Sequence, residues 1–260
     1  MRELKQPKPY RKAKRNRRRR RRGLGPAAAF VCFALVLAAL ASAAVIFFKI
    51  GSITVTGETV YTSEEIIEAS GLEKGESMYL FNKFKAISSI ASSCPYIDEI
   101  RIRRALPDGI EIIVTPCTAA AVIYSDFVYY IIDENGKILE NAGRNQPENM
   151  AVVSGGELKN PQVGKTAVFS AEESSKALFS VLNTAKNSGI LSDISSIDIT
   201  KIYDIKFEYL GRFTVELGTA DDIERKFKFV SAIIDALGDN ERGVIDVSSG
   251  ETGYFNQASN

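Results

Sequence analysis

Three hydrophobic rhythms follow one another along the chain. Residues 27–48 read AAAFVCFALVLAALASAAVIFF, twenty-two residues without a charge. Such a run is long enough, as a helix, to cross a hydrocarbon layer of about 30 Å. After it comes an alternating stretch, Ile53 and Val55, ending at Gly57. Thr62-Ser63-Glu64-Glu65 then spells a capping box, in which Thr62 accepts from the N3 amide and Glu65 reaches back. The helix it opens carries Ile66 and Ile67 and stops at Gly71, a left-handed cap. A second helix is predicted from Asn82 to Ser93, with Phe84, Ile87 and Ile90 on one face and Pro95 ending it. Ile97-Asp98-Glu99-Ile100-Arg101-Ile102-Arg103 and Ile110-Glu111-Ile112-Ile113-Val114 alternate around the turn Leu106-Pro107-Asp108-Gly109, which predicts a hairpin. The order is β-α-α-β-β.

The same signals continue to the end. Strands are predicted over 120–124 and 127–133, with a hairpin through Asp133-Glu134-Asn135-Gly136-Lys137. Ser170-Ala171-Glu172-Glu173 reads as a second capping box, opening a helix with Leu178, Val181 and Leu182 that ends at Gly189. Ile205, Phe207 and Tyr209 alternate, as do Phe213, Val215 and Leu217, around Gly211. A last helix carries a stripe of Phe227, Val230, Ile234 and Leu237, with Glu224 and Lys228 spaced to pair outside. Val244-Ile245-Asp246-Val247 is a final short strand.

Charge changes the picture at the N-terminus. The net charge of the 260-residue chain is +1, but residues 1–22 hold thirteen Lys and Arg against Glu3 alone. The remainder holds twenty basic and thirty-one acidic residues. A cationic arm before an apolar helix keeps the N-terminus in the cytoplasm and attracts anionic lipid headgroups. Nucleic acid is not the expected partner, because Tyr10 alone provides no stacking platform. Ala41-Ser42-Ala43 fits a signal-peptidase site, yet the apolar run continues through Val45-Ile46-Phe47-Phe48, so an uncleaved anchor is expected.

There is no histidine and no tryptophan. A Ser-His-Asp or Cys-His site is thereby excluded, and the commonest metal ligand is missing. Asp221 and Asp222 sit where carboxylates cap a helix rather than where they share a proton. Asp133-Glu134-Asn135 lacks the spacing and final Glu of a calcium loop. No catalytic, cofactor or metal residue is expected. The three cysteines lack CxxC spacing. A hairpin centred near Pro107 brings residue 97 opposite roughly 117, so Cys94 and Cys117 are a candidate disulfide outside the membrane; the alternative is two small core residues.

The ordered motifs resemble a POTRA domain of the FtsQ/DivIB family of bacterial cell-division proteins. The matching residues are Val55-Thr56-Gly57, Tyr61-Thr62-Ser63-Glu64-Glu65-Ile66, Gly71-Leu72, Gly75, Pro95-Tyr96-Ile97, Arg103-Arg104-Ala105-Leu106-Pro107 and Ile110-Glu111-Ile112-Ile113-Val114. Further on, LGTADDIERKFKFVSAI and VIDVSSG match the family's order of a Leu-Gly, a Lys-bearing helix and an Ile-Asp-Val-like strand. Thr115-Pro116-Cys117-Thr118-Ala119-Ala120 stands where the family usually has Glu-Arg-x-Pro-x-Ala. The resemblance implies an α+β protein: basic arm 1–26, transmembrane helix 27–48, POTRA-like domain 50–118, mostly antiparallel β domain with two helices 119–256, and tail 257–260. It implies a divisome scaffold, not an enzyme, at the septum, with the C-terminal domains outside the cell membrane. The implied partners are FtsL-like and FtsB/DivIC-like bitopic proteins, and the implied outcome is control of septal peptidoglycan synthesis. A POTRA-bearing secretion or outer-membrane chaperone is the alternative, and a wall hydrolase a further one. The expected binding residues are Val244, Ile245, Asp246 and Val247, as an exposed edge strand taking a partner strand. Tyr254 and Phe255 are the expected anchors of that contact.

Overall fold

The structure is a computed structural model and describes residues 25–258; the basic arm lies outside them. The chain divides into two units, residues 1–47 and 48–260. In the first, helix α1 spans Pro26–Phe47, 22 residues without a charged side chain. Its described side chains run unbroken from Ala28 to Leu40, with Phe30, Phe33 and Leu35 exposed. Among the described residues no helix is long and apolar enough to cross a membrane.

The second unit begins with the expected β-α-α-β-β order. Strand β1 is Ser52–Thr56, helices α2 and α3 are Ser63–Ser70 and Lys83–Ser93, and strands β2 and β3 are Ile97–Ala105 and Gly109–Pro116. The sheet order is β1-β3-β2. β1 lies parallel to β3, and β2 antiparallel to it. Ile66, Ile90, Ile97, Ile110 and Ile112 are completely buried between helices and sheet.

The capping box of α2 forms as predicted: Glu65 N donates to Thr62 Oγ1 at 3.3 Å, and Thr62 N donates to Glu65 Oε2 at 2.8 Å. Asn82 caps α3 by accepting from Lys85 N at 3.0 Å. Phe84 does not join the buried stripe of α3. It is 83% exposed, while Ala86 and Ile90 face inward, because two residues at about 100° each carry Phe84 to the opposite side of the helix from Ala86.

The remaining chain forms one nine-stranded sheet. Strands β4 to β7 are Ala121–Ser125, Val128–Ile132, Ile138–Gly143 and Ala151–Ser154. Helix α4, Glu172–Asn187, leads to β8, Ile194–Asp198, then β9, Ile205–Tyr209, and β10, Phe213–Gly218. Helix α5, Ile223–Ala236, precedes β11, Gly243–Asp246, and β12, Tyr254–Gln257. The order is β12-β11-β10-β9-β8-β7-β4-β5-β6. The ladders β4–β7, β7–β8 and β10–β11 are parallel and the other five antiparallel. The sheet is therefore mixed, and β7 and β8, which the sequence pattern did not predict, join its two halves. Leu178, Val181 and Leu182 of α4 and Phe227 and Val230 of α5 are buried in the core built on it. Phe227 stacks on Phe207 at 5.6 Å between ring centroids.

Three local expectations are corrected. Ser170 does not cap α4: the N-cap is Ala171, without a side-chain bond, and the Ser170 backbone instead bonds Glu157 O at 2.9 Å. Glu224 and Lys228 form no ion pair among the described residues; the pair with that spacing is Glu172–Lys176 at 2.7 Å, on α4. Cys94 and Cys117 are free thiols, not a bridge. They belong to different clusters, Cys94 to the first domain's core and Cys117 to a group with Val122, Ile131 and Leu139. The Cys117 Sγ turns to Pro95 O at 3.4 Å, and burial pushes this thiol up to about 11.

Within the second unit, that second cluster joins the β-α-α-β-β segment to the nine-stranded sheet. Lys137 Nζ donates to Ile97 O at 2.7 Å, and the Tyr96 hydroxyl donates to Glu140 at 2.9 Å. The caps give a prediction. Thr62→Ala should cost about 1 kcal/mol of stability through the lost cap, whereas Ser170→Ala should leave the denaturation midpoint unchanged, because its hydroxyl caps nothing.

Candidate partner-binding edge

The expected binding strand lies inside the sheet, not at its edge. β11 pairs parallel to β10, with Val244 opposite Thr214 and Ile245 opposite Val215. It also pairs antiparallel to β12, with Val244 opposite Asn256, Ile245 opposite Phe255 and Asp246 opposite Tyr254. Ile245 and Val247 are completely buried, Val247 N donates to Glu216 O at 3.0 Å, and Asp246 Oδ1 accepts from Ser248 N at 2.9 Å. Both sides of the strand are in use, so none of 244–247 presents a free backbone edge. The edge moves one strand outward, to β12.

The local sequence explains the extra strand. Ser248, Ser249 and Gly250 turn the chain, with Ser249 Oγ donating to Thr252 O at 3.1 Å, and Tyr254-Phe255-Asn256-Gln257 follow. A Cβ on Gly243 would lie 2.1 Å from the Asn256 carbonyl; only glycine lets β12 close on β11 at that point. Ser, Gly and Thr between two short β-prone runs are a hairpin signal, and it was present in the sequence.

The two aromatic residues separate by face. Phe255 is half-buried and meets the Phe213 ring edge-on at 6.0 Å, so it holds β12 to the core. Tyr254 is 60% exposed. The backbone separates by period as well. Ala258 N donates to Arg242 O at 2.9 Å, and in an antiparallel ladder the inward amides recur every second residue. Those of Tyr254 and Asn256 therefore point to β11, and those of Phe255 and Gln257 point to open space. The outward amide of Gln257 was missed by the sequence reading, because it depends on register.

The edge is braced from behind. Lys226 of α5 is 2% exposed, and its ammonium donates to Leu217 O and Thr219 O, both at 2.8 Å. Burial pulls this ammonium below its ordinary pKa, with Asp221 and Asp222 acting the other way. Asp222 occupies the N-cap position of α5 but makes no cap bond, so the capping expected of the acidic pair does not form through it. Among the described residues no group of His, Cys, Asp and Glu is placed to hold a metal ion.

Two family models match the chain. Residues 48–115 match the POTRA domain, FtsQ-type, and residues 121–248 match the C-terminal region of cell division protein FtsQ/DivIB. The second match ends before β12. The cell division protein DivIB of Clostridium botulinum strain Hall is 31% identical over 208 residues, covering 78% of this chain and 79% of that protein. DivIB of Clostridium acetobutylicum is 32% identical over 203 residues, covering 78% and 80%. Cell division protein FtsQ of Geobacter sp. strain M21 is 28% identical over 161 residues, covering 60% and 56%.

Proposed function

Because this chain belongs to the FtsQ/DivIB family of cell-division proteins, we propose that it is a bitopic scaffold of the division septum that binds other proteins and catalyses no reaction. α1 crosses the cell membrane, the basic arm stays in the cytoplasm, and residues 48–260 lie outside. The partners are FtsL-like and FtsB/DivIC-like bitopic proteins, and through them the chain helps control septal peptidoglycan synthesis. The observation that carries the reading is the ordered match of both outer domains to the two family models. The charge asymmetry of the sequence supports the topology. Protease added to intact protoplasts is expected to digest the outer domains and leave only a small N-terminal fragment; a protected C-terminal domain defeats the topology.

The binding surface is β12. An open strand offers amides and carbonyls to an incoming strand, and side chains beside it add specificity. In titrations of the full chain with an FtsB/DivIC-like partner, Gln257→Pro is expected to weaken binding, because proline deletes an outward donor without touching the ladder to β11. Tyr254→Ala is expected to cost about 2 kcal/mol of binding, as an exposed aromatic anchor does, with an unchanged melting curve. Phe255→Ala should lower the melting temperature as well, since that ring packs on Phe213. Unchanged affinity in Gln257→Pro and Tyr254→Ala would remove β12 from the interface.

A further inference from the structure

Three segments meet at one end of the POTRA-like domain, beside the residue that follows α1. Met78 N donates to Phe48 O at 3.0 Å, and Ile50 N donates to Glu76 O at 2.9 Å. Lys49 bridges Ser77. Gly51 N donates to Asp108 O at 2.7 Å, which adds the β2–β3 turn, and Arg104 Nε donates to Met78 O at 2.8 Å. Phe48 is bonded to Phe47, the last residue of α1. Residues 48–51 are bonded into this end, so it is here that the chain enters the domain.

The same end is apolar on the outside. Met78 is fully buried and Phe81 half-buried, and these two hold segment 77–85 to the domain. Their neighbours turn outward: Leu80 is 70% exposed, Phe84 83%, Tyr79 44%, and Leu106 on the β2–β3 turn 68%. Tyr79 meets Phe48 edge-on at 5.7 Å, and the Arg104 guanidinium lies 5.2 Å from the Tyr79 ring centre. Lys83 and Lys85 are exposed on either side of Phe84. Glu73, Glu76 and Asp108 are exposed acids at this end, set against exposed Lys49, Lys74, Lys83, Lys85 and Arg104. Aromatic and aliphatic side chains interleaved with Lys and Arg, next to a membrane helix, are the composition that settles at a lipid–water interface. Isolated exposed apolar residues need no explanation, but a contiguous group marks a contact surface.

We propose that this end of the domain docks into the headgroup layer of the membrane that α1 crosses, with Leu80, Phe84 and Leu106 inserted among the lipids and Lys83, Lys85 and Arg104 on the phosphates. The contact holds the POTRA-like domain at the surface instead of leaving it to swing about its junction with the preceding helix. It rests on the reading that α1 spans the membrane. The occupant is lipid, because continuity with α1 and the cationic rim both fit a phosphate-bearing surface.

The test uses the full chain in phospholipid vesicles with one polarity-sensitive fluorophore per variant. One variant keeps Cys32, within α1, as its only labelled position. The others carry Cys32→Ala with either Leu80→Cys or Val60→Cys; Val60 is 76% exposed and follows β1 at the far end of the domain. Quenchers are a nitroxide on the lipid and iodide in the water. The label at Leu80→Cys is expected to be quenched several-fold more by the lipid nitroxide than that at Val60→Cys, and to be shielded from iodide. Equal iodide access at the two positions overturns the proposal. Shielding from both quenchers overturns it too, because another protein chain then covers the patch. Deep quenching at Cys32 together with iodide access at Leu80→Cys sinks the docking alone, whereas a Cys32 label that lipid does not quench sinks the membrane reading first.

Discussion

Replacing Gly136 with valine is expected to lower the melting temperature by roughly 10 °C, the shift that follows from a loss of about 3 kcal/mol in a domain of this size. Gly136 sits in the β5–β6 hairpin at φ +80°, a region that a β-branched residue enters at a cost of about 1–2 kcal/mol. Space adds a second penalty. A Cβ there would lie 2.1 Å from the Phe179 ring of α4, and forcing volume into a packed site costs about 1–3 kcal/mol. The ring cannot move away easily. Asn183, on the same helix, donates to Glu134 O at 3.0 Å, Lys186 pairs with Glu134, and Ala167 N donates to Gly136 O at 2.7 Å. Asp133 is buried beneath the turn, its Oδ1 accepting from Asn135 N at 2.9 Å and Lys137 N at 2.7 Å. Both lone-pair directions are used by turn amides, which is the structural reason the acidic run is a turn. Thermal unfolding of the Gly136→Val chain checks the expectation; a shift of only a degree or two would show that α4 yields.

Lys226→Met is expected to destabilise the protein by about 3 kcal/mol although methionine fills nearly the same volume. Two carbonyls, Leu217 O and Thr219 O, lose their donor, and a buried acceptor left without a partner costs about 1–3 kcal/mol. The stem itself contributes only apolar packing, which methionine preserves. The two carbonyls lie at the end of β10 and just past it, by its irregular step between Glu216 and Gly218, and β10 is the strand on which β11 and then β12 pair. The same variant should therefore weaken partner binding more than its stability loss alone predicts. Chemical denaturation and a binding titration on one preparation separate the two effects. A midpoint equal to that of the parent chain would show that water replaces the ammonium at both carbonyls.

Much of the architecture was legible without coordinates, because its signals are local. Thr62 and Glu65 are three residues apart and need only one turn of helix to find each other. The Asn-Gly turn, the stripe of α4 and the β2–β3 hairpin likewise involve neighbours in the chain and appear where the pattern put them, while the α5 stripe is buried at Phe227 and Val230 and its last member, Leu237, falls just past the helix. The order of these elements carried the family resemblance, and the two family matches bear it out.

The candidate site was legible only in part. Val244 to Val247 reads as a strand and is one, yet whether a strand is an edge depends on what lies on both sides of it. Tyr254-Phe255-Asn256-Gln257 has its apolar residues side by side, so no alternation marks it, and it gains its conformation by pairing with β11. β7 and β8, four and five residues long, take their places through the β4–β7 and β7–β8 ladders, whose partners are distant in sequence. Phe84 and Ser170 failed for a related reason: helical phase and cap position shift by a single residue, and only packing selects among the choices. The cysteines share a neighbourhood, but side-chain direction sends one sulfur to each cluster.

The amino-acid sequence by itself determined the apolar helix, the cationic arm, the absence of histidine chemistry, the β-α-α-β-β order and the caps and turns, since each depends on residues within a few positions of one another. The tertiary structure decided which strand closes the sheet, which aromatic faces outward, where Lys226 finds its carbonyls and how 77–85 folds back to Phe48. Those outcomes depend on how whole elements pack and pair, and in a strand one step of register exchanges the two faces.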